Sequence, residues 1–237
     1  MGTSIKNRWS NSSCSDYFAR LHQIQKEKSF SLITESNVKR ILLNDLNFDA
    51  PKIKKLDIFA KKLLIYNRKR NLISKNTEKQ IWDRHILDSA QLIKFIDVKS
   101  CSGIADLGTG GGFPGIILAI YFQNFNFHVK LYEKSPVKSS FLTDISNILG
   151  LNCKIISNDI NSVEIDSNYI VCRAFRKLSY ILNISREKCI RKHKIIILKG
   201  RNAQKEINST SKMKNYKYRL ENSITDNDSK IIILNTE

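Results

Sequence analysis

The sequence predicts an α/β protein in which a mostly parallel sheet over residues 100–237 follows a helical cap over residues 36–99. After residue 103, short apolar runs alternate with helical patterns, which is typical of β-α-β units. Before that point, apolar residues recur at helical spacing. Residues 1–35 are polar and poorly periodic, and we expect them to form a disordered N-terminal extension.

Apolar residues at i, i+3 and i+4 define three helices in the predicted cap. The first begins at Ser36, and the second follows a start signal at residues 49–51, where an acidic residue precedes proline. The third begins near Thr77 and ends before Lys99. The lysines of the second helix face outward from its apolar stripe.

The sheet region contains six predicted strands with helical patterns between the early ones. Of these helices, residues 113–122 and 137–149 are the clearest, and Gly150 ends the second as a left-handed cap would. The last strand has no helix after it, so we expect an antiparallel edge hairpin with residues 216–220. The predicted strands are 103–107, 127–132, 154–156, 169–172, 193–198 and 230–234.

Basic residues exceed acidic ones throughout the chain. Lysine and arginine number 40 against 22 aspartates and glutamates, a formal net charge of +18. The excess is densest over residues 52–70 and 186–205, and the two runs would supply phosphate contacts if they share a face. The chain is also rich in isoleucine, lysine and asparagine, as a low-GC genome alone would impose. A solvated basic surface is therefore the alternative.

Several classes of protein are disfavoured. The longest apolar stretch, residues 115–122, is far shorter than the roughly 20 residues needed to span a bilayer, and no apolar run follows the N-terminal basic residues. We therefore expect neither a membrane span nor a secretory signal. The five cysteines contain no C-x-x-C pair, which predicts neither a zinc site nor a disulfide framework and favours the cytoplasm.

A glycine-rich loop spans residues 106–115 with the sequence D-L-G-T-G-G-G-F-P-G. It follows the first predicted strand and opens a helix, which is the context of a nucleotide-binding turn. Gly108 allows a tight turn, and Gly110 lets the main chain approach a ligand without a Cβ in the way. A dinucleotide fingerprint that begins at Gly108 would need glycine at position 113, where this chain has Phe113.

The spacing of Asp106, Gly108, Gly110 and Gly112 resembles the first motif of the class I S-adenosylmethionine-dependent methyltransferases. This resemblance implies a Rossmann-like fold and S-adenosyl-L-methionine as the cofactor, with the loop facing its methionine and ribose parts. Glu133 ends the second predicted strand, where an acidic side chain would accept hydrogen bonds from both ribose hydroxyls.

Two methyltransferase chemistries are disfavoured by missing motifs. The chain has no Asn/Asp-Pro-Pro-aromatic stretch, which methylation of an exocyclic base amine would require. It also has no Pro-Cys pair, and Cys172 lies inside a predicted strand. We therefore expect Cys172 to be a small buried residue and not a covalent nucleophile.

Four further segments occur in order along the chain, with the sequences N-L-I-S, W-D-R-H-I-L-D-S, C-R-A-F and L-K-G at residues 71–74, 82–89, 172–175 and 198–200. Together with the glycine loop they resemble the bacterial small-subunit ribosomal RNA guanine-N7 methyltransferase family, also called glucose-inhibited division protein B. The resemblance covers about residues 40–235. It implies methyl transfer to N7 of a guanine in the decoding-region loop of 16S rRNA.

The loop and the resemblance together imply a set of site residues, although the family usually has an acidic residue where this chain has Asn161. The expected cofactor-binding residues are Asp106, Gly108, Gly110, Gly112, Phe113, Glu133, Ile160, Asn161 and Arg173. The expected catalytic residues are Arg173 and Arg84. The expected RNA-binding residues are Arg84, His85, Lys199 and Arg201.

Guanine N7 carries a lone pair, so this reaction needs no general base and depends mainly on proximity and alignment. Arg173 or Arg84 could donate a hydrogen bond to guanine O6 or to a phosphate. His85 has no proton to abstract, which favours a structural or RNA-contact role. Arg84 and Asp88 are four residues apart on one helix and could simply form an ion pair. Trp82 is expected in the core.

Lys199 follows a predicted strand at the edge where open α/β sheets bind ligands, which favours contact with an RNA phosphate. We expect the target base to be exposed or extruded from folded RNA before reaction. The partner would be 16S rRNA or the small ribosomal subunit, with the protein acting as a monomer. Two alternatives stay open: a methyltransferase for another RNA or a small molecule, and an RNA-binding module without catalysis.

Overall fold

A seven-stranded sheet organises the residues described by the computed structural model, which are 34–236. The order across the sheet is β3-β2-β1-β4-β5-β7-β6. Strands β1 to β5 pair in parallel, which confirms the predicted mostly parallel sheet. The strands are β1 (Gly103–Leu107), β2 (His128–Tyr132), β3 (Cys153–Ile156), β4 (Tyr169–Arg173), β5 (Lys194–Lys199), β6 (Lys217–Asn222) and β7 (Lys230–Asn235).

The C-terminal antiparallel hairpin is confirmed, with β6 outermost at the edge of the sheet. Strand β7 also pairs antiparallel with β5, where Ile233 lies opposite Ile196. It is therefore an internal strand with neighbours on both sides. The residues 231–234 are all buried, as expected for a strand that is covered on both faces.

Side-chain caps fix the starts of the first two helices. Thr34 accepts a hydrogen bond from the Asn37 N–H, and Asp49 accepts one from the Lys52 N–H. The fourth helix ends at Gly150 in the left-handed conformation, as the sequence predicts. The α-helices are α1 (Glu35–Asn44), α2 (Ala50–Arg70), α3 (Gly115–Tyr121), α4 (Pro136–Leu149), α5 (Leu178–Lys188) and α6 (Ala203–Ser209).

The third predicted helix of the cap is not a regular α-helix. It is a composite helix with a 3₁₀ segment (Lys75–Gln80), a π-helical segment (Ile81–Leu87), an α-helical turn (Asp88–Ala90) and a second 3₁₀ segment (Gln91–Phe95). Apolar spacing does not distinguish i+4 from i+5 hydrogen bonding, so the sequence indicated a plain helix. π-helical turns are frequent at functional sites, and this one carries Arg84 and His85.

Aromatic packing joins the helical cap to the sheet region. The ring of Phe59 on α2 packs against Phe113 of the glycine loop and Phe141 of α4, with centroid distances of 5.2 and 6.5 Å. Trp82 and Cys172 are both buried, which confirms that they are core residues. The helical cap therefore packs directly on the end of the sheet that bears the glycine loop.

The predicted N-terminal extension lies outside the described residues, except for Thr34 and Glu35, which cap and begin α1. Within residues 34–236, no helix is both long enough and apolar enough to cross a membrane.

Candidate active site

The glycine loop leaves the carboxyl end of β1 as a tight turn. Gly108, Gly110 and Gly112 have φ values of 68°, 59° and 100°, in the region that favours glycine. A Cβ on Gly108 would lie 2.1 Å from the ring of Phe175, whereas a Cβ on Gly110 would meet no atom closer than 3.9 Å. Gly108 is therefore needed for packing within the protein, and Gly110 faces open space that a ligand could occupy.

Asp106 stabilises this turn from inside the protein. Its carboxylate is fully buried, and Oδ2 accepts the N–H of Gly115 at 2.7 Å. Burial raises the pKa of Asp106 to about 7. The structure therefore gives Asp106, expected among the cofactor-binding residues, a position that shapes the loop from inside the protein.

Glu133 follows β2 and faces the glycine loop. Its Oε2 accepts the N–H of Gly110 at 3.0 Å, and its Oε1 accepts the N–H of Ser135 at 2.9 Å. Each carboxylate oxygen can accept a second hydrogen bond. The side chain is thus fixed in place by the backbone and still able to bind the two hydroxyls of a ribose, beside the open space at Gly110.

Arg173, at the carboxyl end of β4, is the centre of a polar cluster that joins two motifs of the sequence. Its Nη1 donates to the carbonyl oxygen of Arg84 at 2.8 Å and lies 3.4 Å from Asp88 Oδ2. Its Nη2 lies 2.6 Å from His85 Nδ1, and its guanidinium carbon is 5.0 Å from the centre of the Phe113 ring. Burial lowers the pKa of Arg173, and Asp88 opposes this effect.

The hydrogen bonds of His85 define its tautomer. The Thr77 hydroxyl donates to the carbonyl oxygen of Ser74, so its oxygen accepts from His85 Nε2 at 2.8 Å. Nδ1 then carries the lone pair that accepts from Arg173. Burial, with the positive charges of Arg173 and Arg84, lowers the pKa of His85 to about 3. His85 is therefore neutral, and its basic nitrogen is occupied.

The alternative of an Arg84–Asp88 ion pair is wrong. Arg84 Nη1 instead donates to Asp226 Oδ2 at 2.7 Å, in the turn between β6 and β7. Asp88 accepts from Thr225 Oγ1 at 2.9 Å and from Gln91 Nε2 at 2.8 Å. The π-helical segment changes the angular spacing on which the i, i+4 expectation depends.

Ile160 and Asn161, both expected among the cofactor-binding residues, lie in a short 3₁₀ turn (Ile160–Ser162) after β3. Asn161 is exposed, and both its N–H and its Nδ2 donate to Asp159 Oδ1, at 2.9 and 2.7 Å. Asp159 thus supplies an acidic side chain two residues before the position where the family usually has one. The sequence interpretation missed it, although an aspartate before a short turn is a common cap signal.

Lys199 is bound within the protein. Its Nζ donates to the carbonyl oxygen of Arg176 at 2.7 Å and to both carboxylate oxygens of Glu206 at 2.9 and 3.0 Å. These bonds match the three N–H donors of an ammonium group. Arg201, in contrast, is exposed just after the same strand. Of the two residues expected to bind RNA at this edge, Arg201 is the more accessible.

Known proteins match most of the chain. The family model described as rRNA small subunit methyltransferase G matches residues 52–231. The protein called "Ribosomal RNA small subunit methyltransferase G" from Rickettsia felis is 40% identical over 180 residues, 76% of this chain and 91% of the relative. A protein of the same name from Pelagibacter ubique is 38% identical over 207 residues, which cover 85% of this chain and 92% of the relative.

A solved structure supports the fold. The ribosomal protein L11 methylase from Lactobacillus delbrueckii subsp. bulgaricus has a TM-score of 0.52 with 13% identity, covering 62% of this chain and 75% of that one. At this identity the similarity shows the fold alone. It confirms the Rossmann-like fold that the strand order and the glycine loop predict.

Proposed function

The chain belongs to the rRNA small subunit methyltransferase G family, and from this premise we propose that it methylates N7 of a guanine in the decoding-region loop of 16S rRNA. It is a methyltransferase that uses S-adenosyl-L-methionine. The observation that carries the proposal is the Glu133 carboxylate, held against the open Gly110 turn at the carboxyl edge of the sheet.

The residues of the loop fit the cofactor. Glu133 would accept the ribose hydroxyls, and the backbone at Gly110 would face the methionine part without a Cβ in the way. Asp159 and Ile160 would flank the adenine, with the carboxylate accepting from its amino group. Phe113 would add an apolar wall. When bound, S-adenosyl-L-methionine supplies an electrophilic methyl group on a sulfonium sulfur.

The protonation states of the cluster suit a reaction in which no proton is removed. Guanine N7 offers a lone pair in the plane of the base, so attack on a methyl group requires no base. The one imidazole of the described cluster, His85, is neutral and donates its only ring N–H to Thr77, while its lone pair is bound by Arg173. It could therefore not act as a base, and we assign it to positioning Arg173.

Arg173 would orient the guanine. A guanidinium has five N–H donors, and three of those on Arg173 contact described protein groups, which leaves two for a ligand. A hydrogen bond to guanine O6 would align the base, whereas one to N7 would occupy the attacking lone pair. Correct alignment can contribute up to about 7 to 11 kcal/mol. Arg84, which Asp226 holds in place, is the second candidate for this contact.

The RNA would reach this site at the carboxyl edge of the sheet, where Arg84 and Arg201 are accessible. We propose that the partner is 16S rRNA or the small ribosomal subunit, that the protein acts as a monomer in the cytoplasm, and that residues 36–99 cap the cofactor domain. The formal charge of +18 favours the phosphate backbone through release of counterions.

Tritium transfer from labelled S-adenosylmethionine to naked 16S rRNA and to small subunits tests this proposal. Reduction and aniline cleavage then map 7-methylguanosine in the labelled RNA. Arg173→Ala should abolish transfer, and Arg173→Lys, which keeps the charge but loses the planar fork, should reduce kcat strongly. Arg40→Ala, on the exposed face of α1, is the matched control and should retain activity.

Methylation at a position other than guanine N7 would contradict the proposed acceptor. Full activity of both Arg173 variants would remove Arg173 from the site. Circular dichroism of each variant establishes that a loss of transfer does not reflect a loss of fold.

A further inference from the structure

The second basic run of the sequence, residues 186–205, does not form one patch, because β5 divides it. This strand begins at Lys194 and ends at Lys199. Arg201 follows its carboxyl end and lies at the same sheet edge as the glycine loop, since β1, β4 and β5 are parallel. The basic residues before Lys194 lie at the opposite edge. They belong to a surface separate from the candidate active site.

A cavity of about 550 Å³ opens at this opposite edge, between the end of α5, the start of β5 and the end of β7. This volume lies within the range of pockets that hold small ligands or single nucleotides. Four basic side chains contribute to its lining, and among its described lining residues none is acidic. Tyr216, which is partly buried against the hydrophobic core, also contributes to the lining. The basic residues are Arg186, Arg191, Lys192 and Lys212.

Neighbouring carboxylates neutralise only part of this charge. Arg191 forms an ion pair with Asp166. Arg186 lies 4.0 Å from Glu187, and both side chains are more than half exposed, so this pair is weak. Among residues 34–236, no carboxylate lies within ion-pair distance of Lys192, which is exposed. The cavity therefore keeps a positive charge that a ligand could balance.

Two buried polar residues that line the cavity, His193 and Ser185, are uncharged. His193 Nδ1 donates to the carbonyl oxygen of Arg191 at 2.8 Å, so Nε2 accepts from the Ser185 hydroxyl at 2.6 Å. Burial lowers the pKa of His193, which keeps the ring neutral. Lys212 donates to the neutral side chain of Asn183, so this contact leaves its charge uncompensated. The polar groups of His193 and Ser185 thus need no ligand, whereas the basic lining residues favour an anion.

We propose that this cavity, lined by Arg186, Lys192, Lys212 and Tyr216, binds a nucleotide of the RNA substrate through its backbone phosphate. Lysine and arginine side chains that contact phosphate release counterions, which is the main source of affinity for nucleic acid. The Tyr216 ring offers a surface for stacking an adjacent unpaired base. The identity of the RNA rests on the proposed function, but the anionic chemistry of the ligand rests on the cavity alone.

The position of the cavity separates this contact from methyl transfer. Strand β5 has six residues and a rise of about 3.3 Å per residue, so the amino and carboxyl ends of this strand are about 20 Å apart. A nucleotide in the cavity must therefore belong to a part of the folded RNA other than the base that is methylated. The proposed contact would let the protein recognise the shape of the RNA at two points.

The test is the salt dependence of binding of naked 16S rRNA to the full-length chain, with and without the double substitution Arg186→Ala and Lys192→Ala. Loss of two phosphate contacts should reduce the slope of log K against log salt by about 1.4 to 1.8. At about 0.1 M salt, this corresponds to affinity that is about 25- to 60-fold weaker. Methyl transfer at saturating RNA should keep its kcat, with KM raised.

A second double variant, Arg40→Ala with Lys154→Ala, removes the same charges from exposed positions on α1 and β3 and should change affinity less than the cavity variant. Equal losses in the two variants would show a general charge effect and overturn the proposal. A defect seen on assembled subunits but not on naked RNA would indicate a protein partner and would also overturn it.

The binding assay contains no S-adenosylmethionine, so its outcome is independent of whether the proposed methyl transfer is correct. Wild-type protein that binds 16S rRNA with the expected slope but transfers no methyl group would refute the proposed function and leave the cavity proposal intact. Methyl transfer by both proteins with identical KM values would refute the cavity proposal alone.

Discussion

The buried, neutral His85 should make the stability of this protein depend on pH in a way that one substitution removes. Its pKa falls from 6.5 to about 3 on folding, because burial and Arg173 disfavour its charged form. At this site the unfolded chain therefore binds more protons between pH 6.5 and 3, and the contribution of His85 to stability decreases as pH falls through this range. Linkage gives a loss from His85 of about 2 kcal/mol between pH 7.5 and pH 5, and of about 4 kcal/mol by pH 3.

The assay compares urea unfolding of the wild type with His85→Gln at pH 7.5 and pH 5. Glutamine does not titrate, yet its amide can donate to Thr77 and accept from Arg173 as the neutral imidazole does. Asp106 acts in the opposite sense, since its raised pKa adds stability as pH falls, but it is common to both proteins. The wild type should lose about 2 kcal/mol more than the variant. Parallel losses would refute the assigned tautomer and burial.

Three further predictions separate structural from ligand roles. Gly108→Ala should destabilise the protein more than Gly150→Ala, because the new Cβ at position 108 would meet Phe175. Gly150→Ala costs only the strain of the left-handed backbone, about 1–2 kcal/mol. Equal unfolding free energies of the two variants would contradict this. Glu133→Gln should weaken S-adenosylmethionine binding in calorimetry at least about tenfold, and it should also cost about 1–3 kcal/mol of stability because its amide nitrogen cannot accept the second backbone N–H. Lys199→Met should cost about 1–3 kcal/mol of stability without changing rRNA affinity, and a tenfold loss of affinity would restore its RNA role.

The fold could be predicted from the sequence because its signals are local. Apolar runs bounded by polar turns marked six of the seven strands to within about two residues, and glycine at position 150 marked the end of α4. The seventh strand, β6, was expected only as the hairpin partner of the last one. The place of β7 inside the sheet depends on pairing with β5 across the intervening 30 residues, which local patterns do not encode. A signal did exist, because residues 231–234 are apolar without alternation, as in an internal strand.

The site was predictable in its residue types and not in its pairings. Arg173, His85 and Glu133 come from recognisable motifs, but the contact of Arg173 with His85 joins residues 88 positions apart. The partner of Arg84 lies 142 positions away, in a turn that carries no motif. Such contacts follow from the register of packed elements, whereas spacing along one helix suggested the wrong partner because the helix is locally π-helical.

The helical cap supplies half of the candidate site and is therefore not a separable lid. The guanidinium of Arg173 ends β4, yet the groups that balance and orient it, Asp88 and His85, lie on the composite helix. Asp88 lies 3.4 Å from Arg173 and both side chains are mostly buried, so removing one partner leaves the other charge poorly compensated, at a cost of about 1–3 kcal/mol. That is a large fraction of the stability of a domain. The described residues accordingly form one compact unit, and the change of pattern near residue 100 marks a change in secondary structure within a unit that must fold together to hold Arg173 in place.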